Sequence, residues 1–446
     1  MHGHRGHPSP HDCGLWTSCD IKTPAKATST AETVGAIVSG LVPMLQCYEW
    51  SPPTVRGTHR LNPEGSVELV NQTPLVAEAG LSEAEMLSTR IGILTAKATF
   101  TLNGNAEPVL DTQAPIDLLR METPLDDLGV MPPDSMPRRT DMVEVMLLAA
   151  AYAPGGKAVD ALRVALEVGV ARAEMYVFGE RSWDGTGSRA LPSAPVPFTR
   201  MPLVWENAFG GKVPIYLDAK NSIDAAEQWN PRGKGFDASP YVRAFGEQLG
   251  AAPGFPQLPP RYVRPLPNLE NPAELIRAWA DAPAPCCWAT TPMDVPYRMK
   301  AMIERKSAGQ RPTTPDELSA PESLEDYLAP ERAPEWDAFF ARAHPTWRLS
   351  PLPQEARVLM ENVHPRHRTM SFPLPQMRVV ADYVIHGRNG TIELAPQMIV
   401  LMPEHDRMTI TYRATFTAQS IPETERSFRL RTEQGWYTPK TPPRKG

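Results

Sequence analysis

The chain has 446 residues, more than one compact core usually uses, so two domains are the starting expectation. Hydrophobic residues at 41% suffice for a buried core, whereas 22% charged residues and a net charge of −6 supply no basic face for nucleic acid. No run of about 18 apolar residues is available to span a membrane; the best stretch, Val34–Leu45, is short and contains Pro43 and two glycines. The 50 prolines argue against long helices, because proline fixes φ and removes a backbone donor. The five cysteines are odd in number and irregularly spaced, which suits a reducing compartment, the cytoplasm, rather than a disulfide scaffold.

In chain order, residues 1–45 read as a disordered tail: His-, Gly- and Pro-rich at first, then rich in Thr, Ala and Ser, with no period. In them no compact basic region leads directly into an apolar core, as a secretory signal requires, and the ordered chain is expected to begin near Cys47. A β-rich domain is expected over 46–183. SVELVNQTP and RIGILTAKATFTL alternate apolar and polar residues, and Asn103-Gly104 then reads as a hairpin turn into EPVLDTQAPI. A Pro/Asp-rich loop covers 121–140. MVEVMLLAAAYAP, a turn at Gly155-Gly156, VDALRVALEVG and AEMYVFGERSW complete the first set of strands.

Residues 184–354 form a loop-rich connector. Short helices are expected at Pro272–Ala280, with Asn271 as N-cap, at Pro296–Ser307 and at Pro321–Ala343. From Glu355 a second β-rich unit with a tail is expected over 355–446: ARVLMENV, RTMSFPLP, MRVVADYVIHG, a turn at Asn389-Gly390, TIELAPQMIVLMP and RMTITYRATF. The fold class is therefore mainly β with some α. It consists of two antiparallel β-rich units, sandwich or barrel-like, joined by a Pro-rich, partly helical connector.

Several stretches resemble a known family. They are KATF at 97–100, AYAPGGKAVDALRVALEVG at 151–169, VFGERSW at 177–183 and RMPLVWENAFGG at 200–211. NPRGKGF at 230–236, LPNLENP at 266–272 and TYRATF at 411–416 continue the series. In this order they resemble the family catalogued as domain of unknown function 2169, across roughly 65–418. The resemblance implies a role rather than a reaction. It implies a cytoplasmic adaptor or chaperone of type VI secretion that stabilises an effector protein and loads it onto the spike or a PAAR-like tip protein, without itself being secreted. It carries no catalytic residues and no cofactor. The sequence departs from the family pattern at PAPCCWATTPMD, residues 283–294, and at FFARAHPTWRLSPL, residues 339–352, which points to a divergent client preference.

TRMPLVWENAFGG is the most distinctive stretch. As a recognition loop it would present Trp205 and Phe209, with Arg200 and Glu206 as polar anchors, since aromatics and arginine bury much area at low entropic cost. As a packing element it would bury both aromatics, end on Gly210-Gly211 at positive φ, and pair Arg200 with Glu206. NPRGKGF lacks the spacing of a phosphate-binding loop and reads as a turn. His2, His4, His7 and His11 with Cys13 and Cys19 offer only adventitious metal binding, because structural sites need paired ligands on ordered turns. Adjacent Cys286 and Cys287 read as a buried, reduced pair.

His364 and His367 could be combined on paper with Ser371 and Asp382 into a hydrolase, but no nucleophile elbow accompanies them. The expectation is thus a non-enzymatic binding protein with no metal and neither nucleic acid nor membrane as partner. The alternatives are a hydrolase in the same pathway and a structural part of the secretion apparatus.

Overall fold

Alternation of apolar and polar side chains makes the strands of this chain, and the same alternation decides which faces they bury. The computed structural model describes residues 68–82, 91–134, 142–185, 189–227, 229–240, 264–292, 340–349, 355–385, 387–417 and 426–435, with a few single positions between 242 and 352. The tail expected at 1–45, the Pro296–Ser307 helix and nearly all of the Pro321–Ala343 helix lie outside the described residues.

The larger sheet has a main path of seven strands. In spatial order they are Glu68–Asn71, Arg426–Gln434, Met377–Ile385, Arg388–Met402, Arg407–Thr417, Ile91–Thr101 and Val76–Ser82. The two end strands are consecutive in sequence and joined by a tight turn. In it Asn71 Nδ2 donates to the Leu75 carbonyl at 2.7 Å, and Asn71 Oδ1 accepts from Thr73 N–H at 3.0 Å. The sheet therefore curls back on itself into a nearly closed, barrel-like form. Arg388–Met402, the longest strand, is shared among three neighbours. Its first half pairs with Val379–Ile385, and its second half pairs with Arg407–Arg413 and, in parallel, with Glu144–Leu147. The register shifts between Pro396 and Met398, where proline has no N–H to give the ladder.

A five-stranded sheet runs Leu269–Glu270, Ala171–Phe178, Ala161–Val168, Arg357–Glu361, Thr369–Pro373. Its inward rows, including Val164, Leu166, Met175, Val177, Val358, Met360 and Phe372, join the same apolar core as Leu94, Ala96, Phe100, Ile399 and Leu401 of the larger sheet. Its outward rows carry ions. Arg172 pairs with Glu167 at 3.1 Å and Glu174 at 3.0 Å, and Arg163 pairs with Glu174 at 2.8 Å and with Glu361.

The chain is mainly β, as its alternation predicts, but its two β-rich stretches are not two separate units. Ile91–Thr101 pairs with Arg407–Thr417 along its whole length, and Ala161–Val168 pairs with Arg357–Glu361. Both large sheets thus draw strands from before residue 183 and after residue 355. Alternation marks a strand without naming its partner.

The helix expected at Pro272–Ala280 is a set of turns. Asn271 Oδ1 accepts from Ala273 N–H at 3.0 Å, and the Asp281 carboxylate takes the N–H groups of Arg277 and Ala278, both at 2.8 Å. These short side chains supply the backbone with partners that a helix would otherwise provide.

The hairpin after Ile91–Thr101 is present but longer than two residues. Asn103 and Gly104 open a loop that ends at Val109. At the later hairpin the turn lies at Gly387, not Asn389-Gly390, which sit in the strand opposite Val384 and Tyr383. A Cβ at Gly390 would fall 2.3 Å from the Tyr383 ring, so this glycine makes room for an aromatic instead of turning the chain.

Candidate functional site

The family-like stretches meet in space. Arg200–Pro202 pairs with Ala150–Tyr152; a single 3₁₀ turn, Trp205–Asn207, follows; then Phe209–Gly210 pairs in parallel with Lys234–Gly235. RMPLVWENAFGG and NPRGKGF therefore close on each other as a clasp.

Gly210 and Gly211 hold φ of +143° and +111°, conformations that L side chains rarely adopt. A Cβ at Gly210 would lie 2.1 Å from the Asn230 carbonyl oxygen, and one at Gly211 would lie 2.5 Å from that of Gly233. Asn230 is buried and donates from Nδ2 to the carbonyls of Trp205 (2.7 Å) and Phe209 (3.0 Å), while its own carbonyl accepts from Gly211 N–H at 2.7 Å.

LPNLENP completes the clasp. Asn268 donates its backbone N–H to the Asn207 carbonyl at 2.8 Å and its Nδ2 to the Phe178 carbonyl at 2.9 Å. Beside it Arg181 pairs with Glu270 at 2.5 Å, both buried. Arg264 donates to the Gly235 carbonyl at 2.6 Å, its guanidinium 5.5 Å from the Trp183 ring centre and 4.9 Å from that of Trp279.

The two readings of RMPLVWENAFGG can now be weighed by position. Trp205 and Phe209 are buried, and Trp205 Nε1 donates to the Ala289 carbonyl at 3.2 Å. Gly210 and Gly211 are interior and Glu206 is exposed. On this segment Arg200 and Glu206 reach solvent and the two aromatics do not, so the structure places the aromatics as the packing reading expects.

Arg200 does not pair with Glu206. Its guanidinium makes a two-pronged contact with Asp127 (2.5 and 2.6 Å), reaches Glu404 at 3.2 Å, and donates to Tyr152 Oη at 3.1 Å. Direct bonding to Arg200 lowers the Asp127 pKa, and the same bond to Asp127 raises that of Arg200. Burial, reinforced by the hydrogen bond to Glu404, raises the Tyr152 pKa.

Glu404 belongs to the turn Pro403–His405, and the successive side chains of Glu404, His405 and the residue after the turn, Asp406, tie down three other segments. Glu404 holds Arg200, His405 holds Asp126 at 3.0 Å, and Asp406 holds His364 at 3.0 Å and Arg366 at 2.5 Å. The Asp406 carbonyl also accepts from Leu102 N–H at 2.7 Å. This ionic hub and the clasp are joined through Arg200–Gly211.

His364 faces neither Ser371 nor Asp382. Asp382 pairs with Arg431 and Thr391 on the larger sheet, and the Ser371 hydroxyl lies 3.4 Å from Arg357. The hydrolase arrangement drawn on paper is not assembled. Cys286 and Cys287 are buried free thiols; burial pushes Cys286 up to about 12 and Cys287 well above the ordinary thiol value. The stretches around Trp288 and Trp347 converge in the interior. Trp288 and Trp347 pack edge to face at 5.5 Å, and Thr291 N–H donates to the Arg342 carbonyl at 2.7 Å.

A further polar group lies where KATF meets TYRATF. Lys97 is 1% exposed and pairs with Asp134 at 2.8 Å, and it also donates to the Asp117 carbonyl at 3.1 Å. Asp134 accepts from Thr411 at 2.7 Å, and its carbonyl accepts from Arg413 at 2.7 Å. Desolvation lowers the Lys97 pKa, and the Asp134 charge opposes that shift. The loop expected at 121–140 thus delivers a buried carboxylate against the sheet, and composition alone gave no signal of it. Asn230, Asn268 and Asp406 were also missed. The one legible hint was Asn beside Pro in both NPRGKGF and LPNLENP.

Fold and site define a mainly β protein whose most distinctive residues are engaged with one another's backbones. The profile of the bacterial family DUF2169, described as uncharacterized protein conserved in bacteria, matches residues 88–413, and the chain belongs to that family. No curated protein and no solved structure matches it significantly. No helix among the described residues is long and apolar enough to cross a membrane.

Proposed function

We propose that this protein is a non-enzymatic adaptor of the cytoplasm, which holds a type VI secretion effector and promotes its loading onto the spike or a PAAR-like tip protein. The observation that supports the reading is how the reactive groups are committed. His364 has both ring nitrogens engaged, Nδ1 by the N–H groups of Arg366 and His367 and Nε2 by Asp406. Lys97 is closed off against Asp134, and the two thiols are held protonated by burial. The family-like stretches likewise build a rigid frame, as the clasp illustrates.

A frame of this kind serves by presenting a surface. Binding a client shifts its folding equilibrium by mass action, which offsets the cost of apolar surface it would otherwise expose. Co-expression with a type VI effector from the same genome should raise that effector's soluble yield if it is the client, and deletion should lower its export. Unchanged yield and export after deletion would exclude the adaptor role. Turnover of a small substrate by the purified protein would exclude the non-enzymatic one.

A further inference from the structure

The geometry points to a proton-operated latch in the His364–Arg368 loop, which is closed when the His364 ring is neutral and opens when its Nδ1 takes a proton. The inference stands on the loop's own hydrogen bonds and is independent of the adaptor reading. His364 Nδ1 accepts from two backbone donors at once, Arg366 N–H at 3.0 Å and His367 N–H at 2.9 Å. An accepting Nδ1 puts the ring proton on Nε2, where it is donated to Asp406 at 3.0 Å. A second proton has only Nδ1 to go to, and there it would point a third donor at two existing ones. Both backbone bonds are then lost together, while the imidazolium keeps its bond to Asp406.

The surroundings favour the neutral ring. The side chain is 1% exposed, and desolvation lowers its pKa, with the bond and charge of Asp406 acting in the opposite sense. His367 stacks on it at 4.6 Å between ring centres and Arg366 bonds the other oxygen of Asp406; both disfavour a second positive charge. The loop at Leu102–Asn105, which packs here through Leu102 N–H and through Gly104 against the His367 ring, brings no titratable group. Glu404 and His405, on the turn that carries Asp406, pair away to Arg200 and Asp126.

The sign follows from linkage. A histidine whose folded-state pKa is depressed takes its proton more readily in the opened loop, so the closed form is fully favoured above the free-histidine value. It then loses ground as pH falls from about 6.5 toward the lowered value, by about tenfold in the opening equilibrium per pH unit. The segment released carries Arg366, His367 and Arg368, so acid would free a positively charged loop beside the hub.

Backbone amide exchange of the full chain tests this, read at Arg366 and His367 between pH 7.5 and 5 and corrected for intrinsic rates, with a strand amide such as Val164 as control. The wild type is expected to lose protection about tenfold per pH unit below about 6.5 at these two amides alone. The variant His364→Asn is expected to stay protected, because an asparagine oxygen can accept the same two N–H groups and cannot be protonated in this range. Protection that persists while the His364 ring titrates, or an equal loss in His364→Asn, overturns the latch. Should His364→Asn not fold, an NMR titration of the wild-type ring decides. A midpoint coinciding with the loss of protection supports the latch, and a separated midpoint removes it.

Discussion

The clasp and the hub lie at the two ends of one short segment, Arg200–Gly211, yet different forces hold them. In the clasp, glycines let backbones approach so closely that a Cβ would collide with a carbonyl, and buried asparagines satisfy the carbonyls left over. In the hub, ionisable side chains from three other segments, from fully buried to largely exposed, meet Glu404, His405 and Asp406. The first arrangement is steric and indifferent to salt. The second is electrostatic and must weaken as salt or acid rises. Volume changes should therefore break one region and charge changes the other.

The largest expected effect is Gly210→Ala. The new methyl would meet the Asn230 carbonyl at 2.1 Å and would force a side chain onto a φ of +143°. Strain and overpacking together should cost about 4 kcal/mol. Urea unfolding should give the same loss at low and high salt; a strongly salt-dependent loss would contradict the steric account.

Asn230→Ala comes next. It leaves the carbonyls of Trp205 and Phe209 without their side-chain donor in a buried place, at about 2–3 kcal/mol. Asn230→Asp should be worse, because a carboxylate oxygen would then face two carbonyl oxygens. If the aspartate variant is the more stable of the two at neutral pH by thermal melting, the assigned hydrogen bonds are wrong.

Arg200→Ala moves the test to the hub and should cost about 1–2 kcal/mol, since the guanidinium is partly exposed and bonds two carboxylates and a phenol. The loss should shrink in high salt. It should also shrink in acid: the Asp127 pKa is lowered by Arg200, so the pair's contribution is present above the ordinary carboxylate value and fades as pH falls through the lowered one. A penalty constant across pH 3–7 would show that Arg200 acts through packing alone. Arg200→Lys should recover little, because an ammonium cannot form the two-pronged contact with Asp127.

Alternation in the runs richest in apolar residues made strands legible, as at Ile91–Thr101, Ala161–Val168 and Arg407–Thr417. Arg426–Gln434 was passed over as tail although Phe428 and Leu430 alternate with Arg429 and Arg431, and both apolar residues are buried. Val76–Ser82 was missed as well; AEAG gives it little apolar signal. Helix signals at Asn271 failed because the same asparagine that caps helices also makes turns. The partner of Arg200 was misjudged for a more general reason. Glu206 is near in sequence, whereas Asp127 and Glu404 are 73 and 204 residues away, and only the closed sheets bring them together.

The smallest expected effect sharpens the comparison within the hub itself. Glu404, His405 and Asp406 are consecutive, but the partners they hold differ in exposure: Arg200 at 30%, Asp126 at 71% and His364 at 1% of side-chain surface. If charge count governed the hub, removing any of the three pairs would matter alike. Screening by water predicts otherwise, with the exposed pair contributing least. His405→Ala should therefore change stability by less than about 0.5 kcal/mol, below Arg200→Ala. A double-mutant cycle on His405 and Asp126 should give a coupling near zero at moderate salt. A coupling above about 1 kcal/mol would mean that the turn is held by its charges whatever their exposure.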